Sequence, residues 1–237
     1  MAVSAFTFGG EEFAPLADRA LFWPAASTLI LSDLHVGKSD VFRARGLPVP
    51  SGVTSRDLDR LTALVAQTGA TRVLILGDFL HAKESHDALS HVERWRQRHV
   101  SLAVEIVPGN HDKTIGSLDP MLKFVLLSPC HMERGIAFCH DPAEVHELPV
   151  MAGHVHPKAR LADFDGGGVD VPCFVVEPRL VILPAFGGFT GGCRIRCADG
   201  RRLLAAAAGR VVEIPPERAL PASSRAAAIG RPTRARR

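Results

Sequence analysis

Five short blocks of this chain combine cation-binding residue types with a spacing that could bring them together: Asp33-Leu34-His35, Gly77-Asp78, Gly109-Asn110-His111-Asp112, His140, and Gly153-His154-Val155-His156. Each follows an apolar run, so each would sit where a strand empties into a loop. Singly such blocks are common, and a strand-end histidine is usually a satisfied polar residue. Their joint occurrence in this order points to a cleft of polar side chains that works on something. In extended chain, residues two apart share a side, so Asp33 with His35, and His154 with His156, can each face one cation. Asp78 is a natural bridge, because a carboxylate has lone pairs enough to serve two cations. Asn110 offers a carbonyl oxygen without adding charge.

Mixed imidazole and carboxylate donors suit Mn²⁺, Fe²⁺ or Zn²⁺, and the lack of thiolates among them argues against a structural zinc. Two divalent cations about 3.5 to 4 Å apart lower the pKa of a bridging water and neutralise phosphate oxygens. That is the chemistry of phosphoester hydrolysis by in-line attack of hydroxide. His111 is expected outside the ligand set, as proton donor to the leaving alkoxide, with Asp112 orienting it. A local hydrogen bond within the loop is the alternative role for His111.

The elements that must position these blocks are legible as short apolar segments. A Gly-Gly turn predicts a hairpin over 5–13. Continuous apolar runs at 28–31, 72–76 and 102–107 read as strands buried on both faces, each ending at a polar block. Between them, helical spacing predicts helices over 51–69, capped by Ser51 or Thr54 and stopped by Gly69, and over 85–99. Beyond residue 130 the pattern becomes short strands, near 135–139, 149–152, 171–176, 179–183, 193–197 and 210–214, punctuated by Gly and Pro. The glycines at 166–168 and 187–192 read as turns, the second lining the cleft. Ligands in open α/β sheets bind beyond the carboxyl ends of strands, where these blocks lie.

Composition bounds the class. A chain of 237 residues with 46% hydrophobic and 22% charged residues is globular and long enough for one large core. Its net charge of +3 hides an asymmetry: 215–237 holds six Arg against one Glu, so residues 1–214 sum to −2. The division expected is a folded domain over 1–214 and a basic, disordered tail over 215–237. An Arg-rich arm of this kind could touch nucleic acid or could be a plain solvated terminus. The five cysteines are odd in number, lack a repeating spacing and follow no signal-peptide pattern, so reduced thiols in a cytoplasmic protein are expected. No apolar run is long enough to span a bilayer.

In order and type, the blocks resemble the calcineurin-like metallophosphoesterase superfamily, whose pattern runs DxH, GD, GNH[ED], H and GHxH. The resemblance implies an α/β fold, a β-sandwich of two mixed sheets flanked by helices in four αββα layers, with metals at strand ends. It implies one site from Asp33, His35, Asp78 and His156, and a second from Asp78, Asn110, His140 and His154. Between the blocks, Asp33-Leu-His-Val-Gly-Lys38, Phe42-Arg43-Ala-Arg45-Gly46, Pro172-Cys-Phe174 and Leu183-Pro-Ala-Phe-Gly187 are similar to the ligase-associated DNA damage response endonucleases. That narrower likeness implies a bacterial DNA-repair setting beside an ATP-dependent DNA ligase and a phosphodiester substrate, with DNA the substrate expected; of the cations that suit the donors, Mn²⁺ is the one expected.

One departure bears on substrate. Protein Ser/Thr phosphatases of the superfamily read GDxxDRG, whereas here the third residue after Asp78 is His81. Repair nucleases place a histidine there too, so His81 is expected to face the phosphate or leaving group, against the plain alternative of a helix-start residue. Lys38, Arg43 and Arg45 could clamp flanking phosphates, or form a solvated basic loop. The same metal core would equally serve a small phosphoester or nucleotide, and the acidic body fits that substrate. A third reading, an inactive scaffold, should have lost ligands, and this chain has lost none.

Overall fold

The computed structural model describes residues 2–81, 85–144, 147–162 and 168–215. In the first half, β1 (Phe6–Phe8), β2 (Glu11–Leu16) and β3 (Ala20–Trp23) form a meander that continues antiparallel into β4 (Thr28–Leu31). Parallel strands cannot be joined by a hairpin, so helical crossovers follow. Helices α1 (Lys38–Ala44) and α2 (Val53–Thr68) lead to β5 (Arg72–Leu76), and α3 (His86–Arg98) leads to β6 (Ala103–Val107). A last parallel strand, β7 (Phe124–Leu126), completes a seven-stranded sheet in chain order.

The second half builds the facing sheet from β8 (Cys130–Glu133), β9 (Ile136–Cys139), β10 (Val150–Ala152), β11 (Pro157–Ala162), β12 (Gly168–Glu177), β13 (Leu180–Ile182) and β14 (Cys193–Arg194). Their order is β14-β11-β12-β13-β10-β9-β8, with β15 (Arg202–Ala207) joined to β12 and β16 (Arg210–Glu213) to β15.

Two layers of core hold this together. Between the sheets pack Phe13, Trp23, Ile30, Leu74 and Val107 against Phe138, Met151, Phe174 and Leu183. The Trp23 ring bridges the layers, 5.4 Å from Phe13 and 5.7 Å from Phe138. On the outer face of the first sheet, Leu58, Leu61 and Leu64 of α2 and Val92 and Trp95 of α3 cover Leu29, Leu31, Val73 and Ile75. Strands β4 and β5 are thus buried from both sides, which is why they read as unbroken apolar runs.

The α/β sandwich of two mixed sheets matches the expected class, with differences of detail. The resemblance implied helices on both outer faces, but among the described residues α2 and α3 cover only the first sheet. The far face of the second sheet is closed by Ile195 and Ile214 over Val175, Ile182 and Leu203. Helix α2 starts from Gly52 in a left-handed conformation without a side-chain cap, not from Ser51 or Thr54, whereas Gly69 ends it as expected. Ser85 caps α3 by accepting the Ala88 N–H. Strands β3, β11 and β15 and helix α1 were not evident as periodic patterns.

The expectation of five reduced thiols is overturned. Cys130 and Cys139 lie directly opposite in the β8–β9 hairpin, Cα atoms 4.5 Å apart, and form a disulfide, while Cys173, Cys193 and Cys197 are not in disulfides. Spacing alone could not reveal this, because the hairpin register decides which residues face each other. Among the described residues no helix is long and apolar enough to cross a membrane. The basic tail lies outside the described residues from 216 onward, as do the glycines at 166 and 167.

Candidate metal centre

The parallel runs β4, β5 and β6 end side by side, and β9 and β10, parallel in the facing sheet, end against them. Backbone hydrogen bonds stitch the loops beyond these ends together. Asp33 N–H donates to Gly77 C=O at 3.0 Å, His35 N–H to Asp78 C=O at 2.9 Å, and Gly153 N–H to His140 C=O at 3.1 Å. Side chains complete the stitching: Asp78 Oδ1 accepts the His111 N–H, and Asp33 Oδ2 accepts the His154 N–H, both at 2.9 Å.

Close approach dictates the glycines. A Cβ on Gly77 would lie 2.2 Å from Nδ1 of His140, and one on Gly109 would lie 2.3 Å from the Asp78 backbone nitrogen.

The ligand pairs do not lie in extended chain as their alternation predicted. Asp33, His35, Asp78, His154 and His156 all have positive φ, between 50° and 66°. Left-handed backbone in non-glycine residues is uncommon and costs about 1 to 3 kcal/mol each, so it persists where surrounding structure imposes it and gathers at functional sites. Asp33 and His35 come together with His156, their donor atoms within 4.8 Å of one another, whereas His154 turns to His140.

The side chains converge. His156 Nε2 lies 3.1 Å from Asp33 Oδ1 and 3.3 Å from His35 Nε2, and His154 Nδ1 lies 3.1 Å from His140 Nε2. Asp78 sits between the two groups, with Oδ2 3.7 Å from His35 Nε2 and Oδ1 3.6 Å from His140 Nε2. Asp33 Oδ1 is buried and has no hydrogen bond despite the nearby imidazole nitrogen, so the contact has ion-pair distance without hydrogen-bond alignment. Lone-pair donors aimed at a common point rather than at each other fit a cation. His140 supports that fit: its Nδ1 is 3.0 Å from the Leu76 carbonyl, to which an Nδ1–H would donate, leaving the Nε2 lone pair free for a metal. Asn110 is exposed between Gly109 and His111, on the turn pinned to Asp78.

Electrostatics favour neutral rings in the interior. Burial, then Lys38 and the neighbouring imidazoles, pushes His35 down to about 2. Burial, then His111 and Lys38, lowers His81 to about 4. The His81 ring stacks on exposed His111 with centroids 4.8 Å apart, so both expected substrate-facing histidines meet at the edge of the metal cluster.

Asp112 is placed differently from expectation. Its carboxylate accepts the Leu80 N–H at 2.9 Å and the Gly109 N–H at 2.8 Å, which ties the two ligand loops together rather than orienting His111. Burial raises its pKa against the pull of these backbone donors. Lys38 is half-buried, its pKa lowered by burial and drawn back by Asp33 and Asp78. Arg45 acts on His81, whereas Arg43 is turned to Asp40 at 2.5 Å and the Pro50 carbonyl at 3.0 Å.

One positioning group was missed from sequence. Asp57, buried on α2, accepts the Gly188 N–H and pairs with Arg60 at 3.2 Å. Arg60 and Arg19 in turn donate to the Phe186 and Gly187 carbonyls. This loop presses on the first ligand block, since Phe186 N–H donates to Ser32 C=O and Gly187 N–H to Asp33 C=O. Asp57 directly precedes Leu58 on the buried face of α2, and a charge on that face was the available signal.

No protein-family model and no curated protein matches the sequence. Among solved structures, the chain superposes on nuclease MPE from Pseudomonas putida with a TM-score of 0.77 and 36% identity, over 89% of this chain and 98% of that one. The chain belongs to the same metallophosphoesterase family. It is a metal-dependent phosphoesterase, and its clustered Asp and His side chains are of the kind that hold divalent cations. The phosphoesterase Yfce from E. coli is also similar, at 16% identity and a TM-score of 0.45 over 79% of this chain and 97% of that one.

Proposed function

We propose that this metallophosphoesterase is a two-metal phosphodiesterase that cuts DNA internally, using Mn²⁺, in bacterial cytoplasmic DNA repair beside an ATP-dependent DNA ligase. The observation that carries the two-metal reading is Asp78, whose two oxygens each face one imidazole group. Similarity to the Pseudomonas putida nuclease supports a nucleic acid as the substrate. Asp33, His35, Asp78 and His156 would hold one cation, and Asp78, Asn110, His140 and His154 the other. When bound, the pair lowers the pKa of water and offsets charge on the phosphate.

The chain's own residues do the rest. His111, exposed and fixed through its backbone N–H to Asp78, delivers a proton to the leaving oxygen. His81, kept neutral near pH 7, offers a hydrogen bond rather than a charge to the phosphate. Lys38 and Arg45 attract the flanking phosphates, and Arg43 is held back by Asp40. Residues 1–214 form the catalytic domain, and the basic arm at 215–237 adds salt-sensitive grip on DNA.

The test is a side-by-side assay with Mn²⁺ on single- and double-stranded DNA, a small phosphodiester and a phosphomonoester. Preferred hydrolysis of the monoester would replace DNA with a small-molecule substrate. His111→Ala should keep its metal and lose roughly 10²- to 10⁴-fold in rate; undiminished activity refutes the proton-donor role. Asp78→Ala should no longer titrate two equivalents of Mn²⁺, and two retained equivalents refute the bridge.

A further inference from the structure

Phe42 and Phe189 meet edge to face, ring centroids 5.4 Å apart at 79°. Both are partly exposed, and among the described residues neither belongs to a hydrophobic cluster nor packs against one. An aromatic pair outside every core contributes little to folding, since apolar burial is what would stabilise it. Its position is informative. Residues i, i+4 and i+7 share a helix face, so α1 presents Lys38, Phe42 and the adjoining Arg45 in a row: cation, ring, cation. The start of α1 is seated on the ligand loops, since Lys38 N–H donates to His35 C=O and His81 N–H to Val36 C=O, both at 3.0 Å; Lys38 acts on Asp33 and Asp78, and both cations act on His81. Phe189 comes from the other side, on the loop whose Gly187 and Gly188 N–H groups are bound by the Asp33 carbonyl and the Asp57 carboxylate.

We propose that Phe42 and Phe189 form a base-stacking site for the nucleotide beside the scissile phosphate, flanked by Lys38 and Arg45 for the neighbouring phosphates. The proposal rests on the nucleic-acid reading above and deepens it. Every base has a π face that an aromatic ring can bind without reading sequence, and a groove alternating rings with cations matches a strand alternating bases with phosphates. A base inside a duplex has both faces covered by its neighbours, so this site takes an unpaired or extruded nucleotide. A small phosphomonoester without a ring would leave it empty.

The experiment is a cycle between protein and substrate. Two oligonucleotides of one length, each with a single cleavable phosphodiester, differ only in carrying a base or an abasic sugar on both sides of it. With Mn²⁺, the wild-type KM should be roughly 5- to 100-fold lower for the base-bearing strand, the loss typical of a stacked base. The double variant Phe42→Leu with Phe189→Leu keeps apolar volume and removes the ring faces, so its KM ratio should fall to near one. A variant ratio equal to that of the wild type overturns the site, and so do equal wild-type KM values for the two strands. Cleavage of neither strand by wild type that still hydrolyses a small diester overturns the nucleic-acid reading itself.

Discussion

Replacing Asp112 by alanine separates a structural joint from a catalytic helper. The Asp112 side chain is 3% exposed, and its two oxygens accept backbone N–H groups from Leu80 and Gly109, on the two loops that carry Asp78 and Asn110. Asp112→Ala removes the acceptor of the buried Leu80 N–H and of the partly buried Gly109 N–H. Hydrogen bonds to a charged group contribute about 1.5 to 3 kcal/mol each, which for two gives about 3 to 6 kcal/mol. Burial raises the Asp112 pKa, so the ionised acceptor is itself partly opposed by its surroundings and the lower end applies, about 3 kcal/mol. For a domain of this size each kcal/mol shifts Tm by about 2 to 4 °C, so a fall of about 6 to 12 °C is expected. The measurement is thermal unfolding of metal-free protein, which removes any contribution from bound cations. Metal affinity should fall as well, because the loops no longer hold Asp78 and Asn110 in register. A variant that melts within 2 °C of wild type, binds metal normally and yet loses activity would refute the structural role and restore Asp112 as a partner of His111.

Two further outcomes follow from the same geometry. Gly77→Ala places a Cβ 2.2 Å from His140 Nδ1 on a backbone at φ +78°, so His140 must move; Mn²⁺ titration should fall below two equivalents, and wild-type stoichiometry and affinity would contradict the close-approach reading. The His35 pKa is depressed to about 2 in the folded chain, so the unfolded chain binds more protons below about pH 6.5 and stability is lost as pH falls through that value. Metal-free wild type should lose about 1.4 kcal/mol of this contribution per pH unit below about 6, and His35→Gln should flatten the slope of denaturant-derived stability against pH; an unchanged slope would show that His35 is not the group.

How much of the centre was legible in sequence depended on whether a signal was local. The strand at 28–31 and the strand at 72–76 were readable because a strand buried on both faces must be apolar throughout, and the polar block after each marks where burial ends. Ligand identity was readable because cation chemistry restricts residue type. Strand β3 and helix α1 were not, since β3 runs into Pro24-Ala25-Ala26 with no polar block to mark its end and α1 is seven residues long, too short for a helical period.

The sequence by itself determined the set of donors, their order and the kind of cation they suit, because those are properties of residue types. Only the tertiary structure decided how the donors face one another. It turned five ligands into left-handed backbone, made Asp112 a joint between two loops and drew Arg43 away to Asp40. It also set Cys130 opposite Cys139 and brought Asp57 to Gly188 and Phe189 to Phe42 from distant segments. The physical reason is the same in each case. These are pairings fixed by register and by which loops close on which, and neither is encoded in the types or spacing of neighbouring residues.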